Sequence, residues 1–167
     1  MKTETVIFNF ESPVTSGEWV TVDDVVMGGV SESIFEINQN NTATFSGKVS
    51  ADNNGGFASA RTSLKNESND YEGVIIRVKG DGKIYSLRFR TNTNFDGISY
   101  QAKFRTVSGE WKELKIPLND FKPTFRGNTL SDKPELESKN IKQIGILIAD
   151  KQFGKFKLNM DWIKFYQ

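Results

Sequence analysis

The sequence predicts an all-β fold, a two-sheet antiparallel sandwich of the jelly-roll kind, in one domain spanning residues 1–167. Three observations lead there. Apolar residues recur with a period of two, turn-forming residues interrupt them at short intervals, and no segment carries a sustained helical stripe.

In chain order, Val6, Phe8 and Phe10 share one parity, so the first strand is expected to turn all three side chains into the core. Gly28-Gly29 and Gly55-Gly56 each precede a β-type run, VSESIFEI and FASARTSL, where glycine admits unusual φ values and close backbone approach. Both pairs therefore read as shapers of the backbone. Val74, Ile76 and Val78 alternate in GVIIRVKG, and Tyr85, Leu87 and Phe89 alternate in KIYSLRFR. Asp81-Gly82 between them suits the positive φ of a tight turn, which reads as a hairpin. Ile98, Tyr100, Ala102 and Phe104 repeat the pattern. The segment 121–140, FKPTFRGNTLSDKPELESKN, contains Pro123, Gly127 and Pro134 and no sustained period. It reads as a long connection, either a contact loop or a solvated crossover. IKQIGILIA, at 141–149, is apolar enough for a central strand covered on both faces, and the run from Phe156 to Tyr166 alternates again.

Composition narrows the function. The 167 residues carry 22 Lys and Arg against 21 Asp and Glu, so no global charge excess drives the molecule toward nucleic acid or acidic lipid. Cysteine is absent, which removes disulfides and thiolate chemistry and suits a reducing compartment. The start, MKTETVIFNF, lacks the apolar core of a signal peptide and the Arg-rich pattern of a transit peptide. No later apolar run could span a bilayer, and the chain is expected to be cytoplasmic. Histidine is also absent, leaving Asp, Glu, Lys, Tyr and Ser for any reaction. No nucleophile elbow, phosphate loop or dinucleotide fingerprint occurs, so neither an enzyme nor a cofactor is expected. Asp23 and Asp24, adjacent on extended backbone, point to opposite faces and make a poor catalytic pair.

Other residues have structural readings. Met27 is expected to fill a core gap and Trp19 to anchor the core. Arg61 shares the parity of Phe57 and Ser59, which suggests a guanidinium on a largely buried face, neutralised by Asp24 and by hydrogen bonds from the Gly28-Gly29 turn region. Arg77, Arg88, Arg90, Lys103 and Arg105 all oppose apolar parity. If their strands are neighbours, they form one basic face, suited to an acidic protein or simply solvated and paired with nearby acids.

A family resemblance rests on several motifs. They are Trp19 followed by Asp24-Val25-Val26-Met27-Gly28-Gly29-Val30-Ser31, then Phe45-Ser46-Gly47, then Asn54-Gly55-Gly56-Phe57-Ala58-Ser59-Ala60-Arg61. Gly80-Asp81-Gly82 with Tyr85, Trp111 with Ile116-Pro117, Phe121, Arg126-Gly127, Ile144-Gly145 and Asp161-Trp162-Ile163 follow in order. Together they resemble the complex I intermediate-associated protein 30 family. The resemblance implies a galactose-binding-like jelly roll, similar to certain carbohydrate-binding modules, and a non-enzymatic assembly-factor role of the kind mitochondrial members serve for NADH dehydrogenase. The chain is close to the bare domain and resembles small stand-alone bacterial relatives, whose protein partner need not be complex I. Carbohydrate binding is the alternative, with Trp111, Tyr85 and Tyr100 as stacking surfaces, although both tyrosines have core parity. A structural Ca²⁺ of the kind common in such folds would use Glu11 and Asp161.

Overall fold

The computed structural model describes residues 3–52, 56–64, 70–93, 97–126 and 128–167, except for the side chains of Val26 and Met27. The strands, in chain order, are β1 (Glu4–Phe8), β2 (Val20–Thr21), β3 (Glu32–Ile37), β4 (Ala43–Val49), β5 (Ala58–Ser63), β6 (Gly73–Lys79) and β7 (Ile84–Arg90). They continue with β8 (Ser99–Arg105), β9 (Trp111–Pro117), β10 (Lys122–Phe125), β11 (Asn128–Thr129), β12 (Gln143–Ile148) and β13 (Gly154–Tyr166). A six-stranded sheet runs β3-β4-β13-β6-β9, with β1 also on β13, and a seven-stranded sheet runs β11-β10-β8-β7-β12-β5-β2. Every ladder between these strands is antiparallel. This is the jelly-roll sandwich that the alternation predicts.

The core lies where the two inner faces meet. Tyr85, Leu87 and Phe89 of β7 and Ile144, Ile146 and Ile148 of β12 face Phe45 of β4 and Leu158, Ile163 and Phe165 of β13, all fully buried. Each such side chain contributes about 1.5–3 kcal/mol of hydrophobic stabilisation. Phe89 bridges the layers, with its ring centroid 5.0 Å from Phe121 and 6.0 Å from Phe165. β12 sits between β7 and β5 and is buried along most of its length, as its isoleucine-rich run predicts.

Three expectations need correction. In β1 the register shifts between Val6 and Phe8, so Phe8 and Phe10 are buried while Val6 is 46% exposed. One extra residue in a strand reverses the parity that follows it. Asp81-Gly82 is not a hairpin, because β6 pairs with β13 and β9 whereas β7 pairs with β12 and β8. Gly82 does take a positive φ of 89°, but the turn carries the chain from one sheet to the other. Asp81 fastens it by accepting the Lys83 amide at 3.2 Å and the Lys157 amide of β13 at 2.9 Å. The 121–140 segment is not a bare connection either. It holds β10 and β11, buries Leu136, and offers the Pro134 carbonyl to the Tyr100 hydroxyl at 2.8 Å. Prolines and a short strand pair hid that order from the period-two pattern.

Candidate functional site

Asp24 opens a short 3₁₀ turn, Asp24–Met27, and is 1% exposed. Its carboxylate accepts the Ser31 amide at 2.8 Å, the Ser31 hydroxyl at 2.5 Å, the Gly56 amide at 2.7 Å and the Phe57 amide at 3.3 Å. Its own amide donates to the Phe57 carbonyl at 3.2 Å, and its carbonyl accepts the Gly29 amide at 2.8 Å. The two glycine motifs are therefore the two walls of one carboxylate cage. Gly28 ends the turn with φ 88°, a left-handed conformation that favours glycine. At Gly29 a β-carbon would collide with the Asp24 carboxyl. Asn54 and Gly55 lie outside the described residues, as does the Met27 side chain.

Burial pushes the Asp24 carboxyl up, but the hydrogen bonds from Ser31, Gly56 and Phe57 together outweigh it and leave the group below its ordinary pKa. Neighbouring Asp23 goes the other way, raised chiefly by burial. It accepts the Ser33 hydroxyl at 2.6 Å and the Ser59 amide at 3.2 Å. Each aspartate ties the β3 side of the turn to the start of β5 through structural donors. Gly29→Ala is expected to lower stability by about 1–3 kcal/mol, since the cage must open to admit the methyl group. A thermal melt checks this, and Gly28→Asn, which tolerates positive φ, should be milder.

The expected pairing of Arg61 with Asp24 is not formed. The donors on Asp24 come from Ser31, Gly56 and Phe57, and no Arg61–Asp24 ion pair occurs among the described residues. Ala58 and Ala60 face the core with 0% exposure, so the alternation of β5 turns Arg61 to the outer face of the seven-stranded sheet. Trp19 does anchor the core. It stacks on Phe35 at 4.4 Å, meets Phe8 edge-on at 5.5 Å and donates its indole N–H to the Ser16 carbonyl at 2.8 Å. Tyr85 is fully buried and its hydroxyl donates to Asp81 at 3.1 Å; burial, then the Asp81 charge, pushes that hydroxyl's pKa far up.

The outer face of the seven-stranded sheet has a different character. Register aligns Val20, Arg61, Gly145, Arg88, Gln101 and Lys122 in one row across six strands. Ser63, Gln143 and Arg90 form the next row, and Ser59, Leu147, Ser86 and Lys103 flank the other side. On the central strands β5, β12, β7 and β8 this face carries Arg61, Arg88, Arg90, Lys103 and Arg105 and no acidic residue. Lys103 meets Asp150 at 2.9 Å from outside these strands. Half-buried Arg88 has no hydrogen bond or ion pair among the described residues, and its Nε is fully buried without an acceptor. Burial, then repulsion from Arg90 and Arg61, lowers its pKa to about 10, so it stays charged at neutral pH. At the β5–β12 edge, Glu18, Val20, Arg61, Thr62, Ser63, Thr93 and Gln143 line a cleft of about 280 Å³.

Arg77 does not belong to this face. Its strand, β6, lies in the six-stranded sheet, where Arg77 Nε donates to Asp161 at 3.0 Å and a terminal nitrogen to Glu113 at 3.4 Å. The guanidinium also lies 5.2 Å from the Trp111 ring, and Lys164 lies 4.0 Å from Trp162. The charge of Arg77 is thus neutralised locally. Asp161 is engaged by Arg77 while Glu11 accepts from Asn9 at 3.4 Å, so the two acids suggested for Ca²⁺ are committed elsewhere. Among the described residues no group of three or more His, Cys, Asp or Glu could hold a metal ion. Sequence reasoning missed Gly145, Gln143 and Trp162 as parts of these faces. The parity of Gln143 and Gly145, opposite to Ile144 and Ile146, was the available signal.

Comparison with known proteins adds a family and a fold. The family model described as complex I intermediate-associated protein 30 matches residues 8–160. A Drosophila melanogaster protein named complex I intermediate-associated protein 30, mitochondrial, is 24% identical over 95% of this chain and 61% of its own length. The Mus musculus protein of the same name is 24% identical over 98% of this chain and 56% of its own length. The chain thus spans little more than half the length of these curated relatives. Among solved structures, a family 11 carbohydrate-binding module from Clostridium thermocellum, in complex with a mixed-linked tetrasaccharide, superposes with a TM-score of 0.71 at 18% identity. That match covers 97% of this chain and 94% of the module. A family 29 carbohydrate-binding module gives a TM-score of 0.56 at 13% identity over 99% of this chain and 86% of its own. At such identities the likeness is one of fold.

Proposed function

The chain belongs to the complex I intermediate-associated protein 30 family, and from that premise we propose that it is a non-enzymatic protein-binding module, chaperone-like or an assembly factor. Its partner meets the outer face of the seven-stranded sheet. One observation carries this reading. Five cationic side chains on four adjacent strands share a face to which those strands contribute no acid, and Arg88 at its centre has no hydrogen bond or ion pair among the described residues, whereas Arg77 on the opposite sheet is matched by two acids. A surface with that imbalance is complementary to an acidic one, and arginine is among the residues enriched at interfaces. The absence of histidine and cysteine and the structural engagement of Asp23 and Asp24 support a non-catalytic role. The cysteine-free composition suits a reducing site such as the cytoplasm, whereas the named relatives are mitochondrial. Among the described residues no helix is long and apolar enough to cross a membrane.

Affinity capture from the native lysate with mass spectrometry tests the proposal. A specific partner should be recovered, and Lys103→Glu with Arg105→Glu should slow its association and weaken its salt dependence. Recovery of no partner, or of one indifferent to these reversals, contradicts the proposal. Carbohydrate binding remains the second reading because Trp111 and Trp162 are half-buried on the outer face of the six-stranded sheet, while Tyr85 and Tyr100 are inside. Hits on a glycan array that vanish with Trp111→Ala and Trp162→Ala would favour it.

A further inference from the structure

Arg88 occupies the middle of the longest row on the seven-stranded sheet. Gly145 separates it from Arg61, and Gln101 follows on its other side. Arg61 and Arg88 therefore stand two strand spacings apart, about 10 Å, across a position that carries no side chain. Arg90 lies two residues along β7 on the same face, 7% exposed, opposite Gln143. Among the described residues that line the adjoining cleft, Glu18 is the one acid.

A half-buried guanidinium that lacks an acceptor is costly to keep charged, and Arg88 is in that position, whereas Arg61 and Arg90 each have an interaction of their own. An incoming oxyanion relieves that cost by supplying charge and hydrogen-bond acceptors together. A carboxylate matches the planar fork of arginine, accepting two parallel N–H bonds. No aromatic residue on β5, β12, β7 or β8 faces outward there to stack a sugar ring.

We propose that the Arg88 guanidinium, with Arg61 across Gly145 and Arg90 beside it, forms a carboxylate-binding site that receives an Asp or Glu side chain of the protein partner. The site rests on the protein-binding reading above and names the chemistry by which that reading is realised. The bond to Arg88 is charge-assisted, so its loss weakens binding about tenfold or more.

The experiment is a titration of the ¹⁵N-labelled protein with an end-blocked oligoglutamate, its oligoglutamine counterpart and inorganic phosphate, followed at the arginine Nε–Hε resonances. Oligoglutamate should move the Arg88 resonance saturably and oligoglutamine should not. Arg88→Gln should remove saturable binding and Arg88→Lys should restore part of it, with folding confirmed by an unchanged melt. No shift at Arg88, or equal shifts with oligoglutamine, overturns the proposal. A response to phosphate without one to oligoglutamate also overturns it, because the site would then serve a free anion. The wild-type titration stands alone if Arg88→Gln fails to fold. If the captured partner binds Arg88→Gln undiminished, the carboxylate site fails while the protein-binding reading stands. If the wild type captures no partner, that reading fails whatever oligoglutamate does.

Discussion

Asp24→Asn is expected to destabilise the fold by about 3 kcal/mol, roughly 10 °C of melting temperature for a chain of this size. The carboxylate serves four donors, three of them backbone amides. An amide side chain would place its NH₂ against one of those donors or leave one without an acceptor. The cage also ties the turn before β3 to the start of β5, so its failure frees both segments. Its pH dependence has a definite sign. The folded pKa of Asp24 lies below its unfolded value, so the stabilisation is complete above the unfolded pKa, near 4, and is lost as pH falls through the folded value. The stability gap between wild type and Asp24→Asn should therefore narrow as pH is lowered below about 4. Asp23, raised chiefly by burial and in part by the Asp24 charge, contributes with the opposite sign; its burial part is common to both proteins, and only the part due to Asp24 enters the difference. Denaturant melts at several pH values measure the gap, and a gap that does not change with pH would contradict the cage.

Phe89→Ala should cost more, about 3–5 kcal/mol, because it removes the ring that joins the layers. Phe89 is 0% exposed and packs between Phe121, which precedes β10, and Phe165 of β13. Neither neighbour can collapse into the gap without moving a strand. A denaturant melt should show a lower midpoint with an unchanged slope, the mark of lost stability rather than altered compactness. Since Phe89 lies between Arg88 and Arg90, the same substitution tests whether a loosened core disturbs the basic face behind it. A loss below about 1 kcal/mol would mean that the sheets are not held together there.

Much of the sandwich was legible because a strand with one buried face must alternate. β7, β8 and β12 each show their inward residues directly in sequence, and each is buried as the parity requires. What alternation lacks is knowledge of neighbours. GVIIRVKG and KIYSLRFR look like two arms of a hairpin, yet both edges of β6 are occupied by β13 and β9, so the turn crosses between sheets. That one pairing decides where Arg77 goes, and it removes Arg77 from the face holding Arg88 and Arg90. The bulge that exposes Val6 is likewise a matter of register with β13 rather than of local sequence.

The site was legible to a similar degree. Both glycine motifs announced a shaped backbone, but their common purpose appears only when Gly56 and Phe57 are brought to the carboxylate of Asp24, more than thirty residues away. The expected pairing of Arg61 with Asp24 does not form, since backbone amides can neutralise an aspartate as a guanidinium does. The want of an acceptor at Arg88 is a property of three-dimensional surroundings and leaves no trace in the order of residues.

The most direct test of the account is to map the partner's footprint on the folded protein by backbone and side-chain NMR shifts. Changes should concentrate on Ser86, Arg88, Arg90, Gln101, Lys103 and Gly145, on the outer face of β7, β8 and β12. Changes concentrated instead around Trp111, Arg77 and Trp162, with Arg88 unmoved, would contradict it.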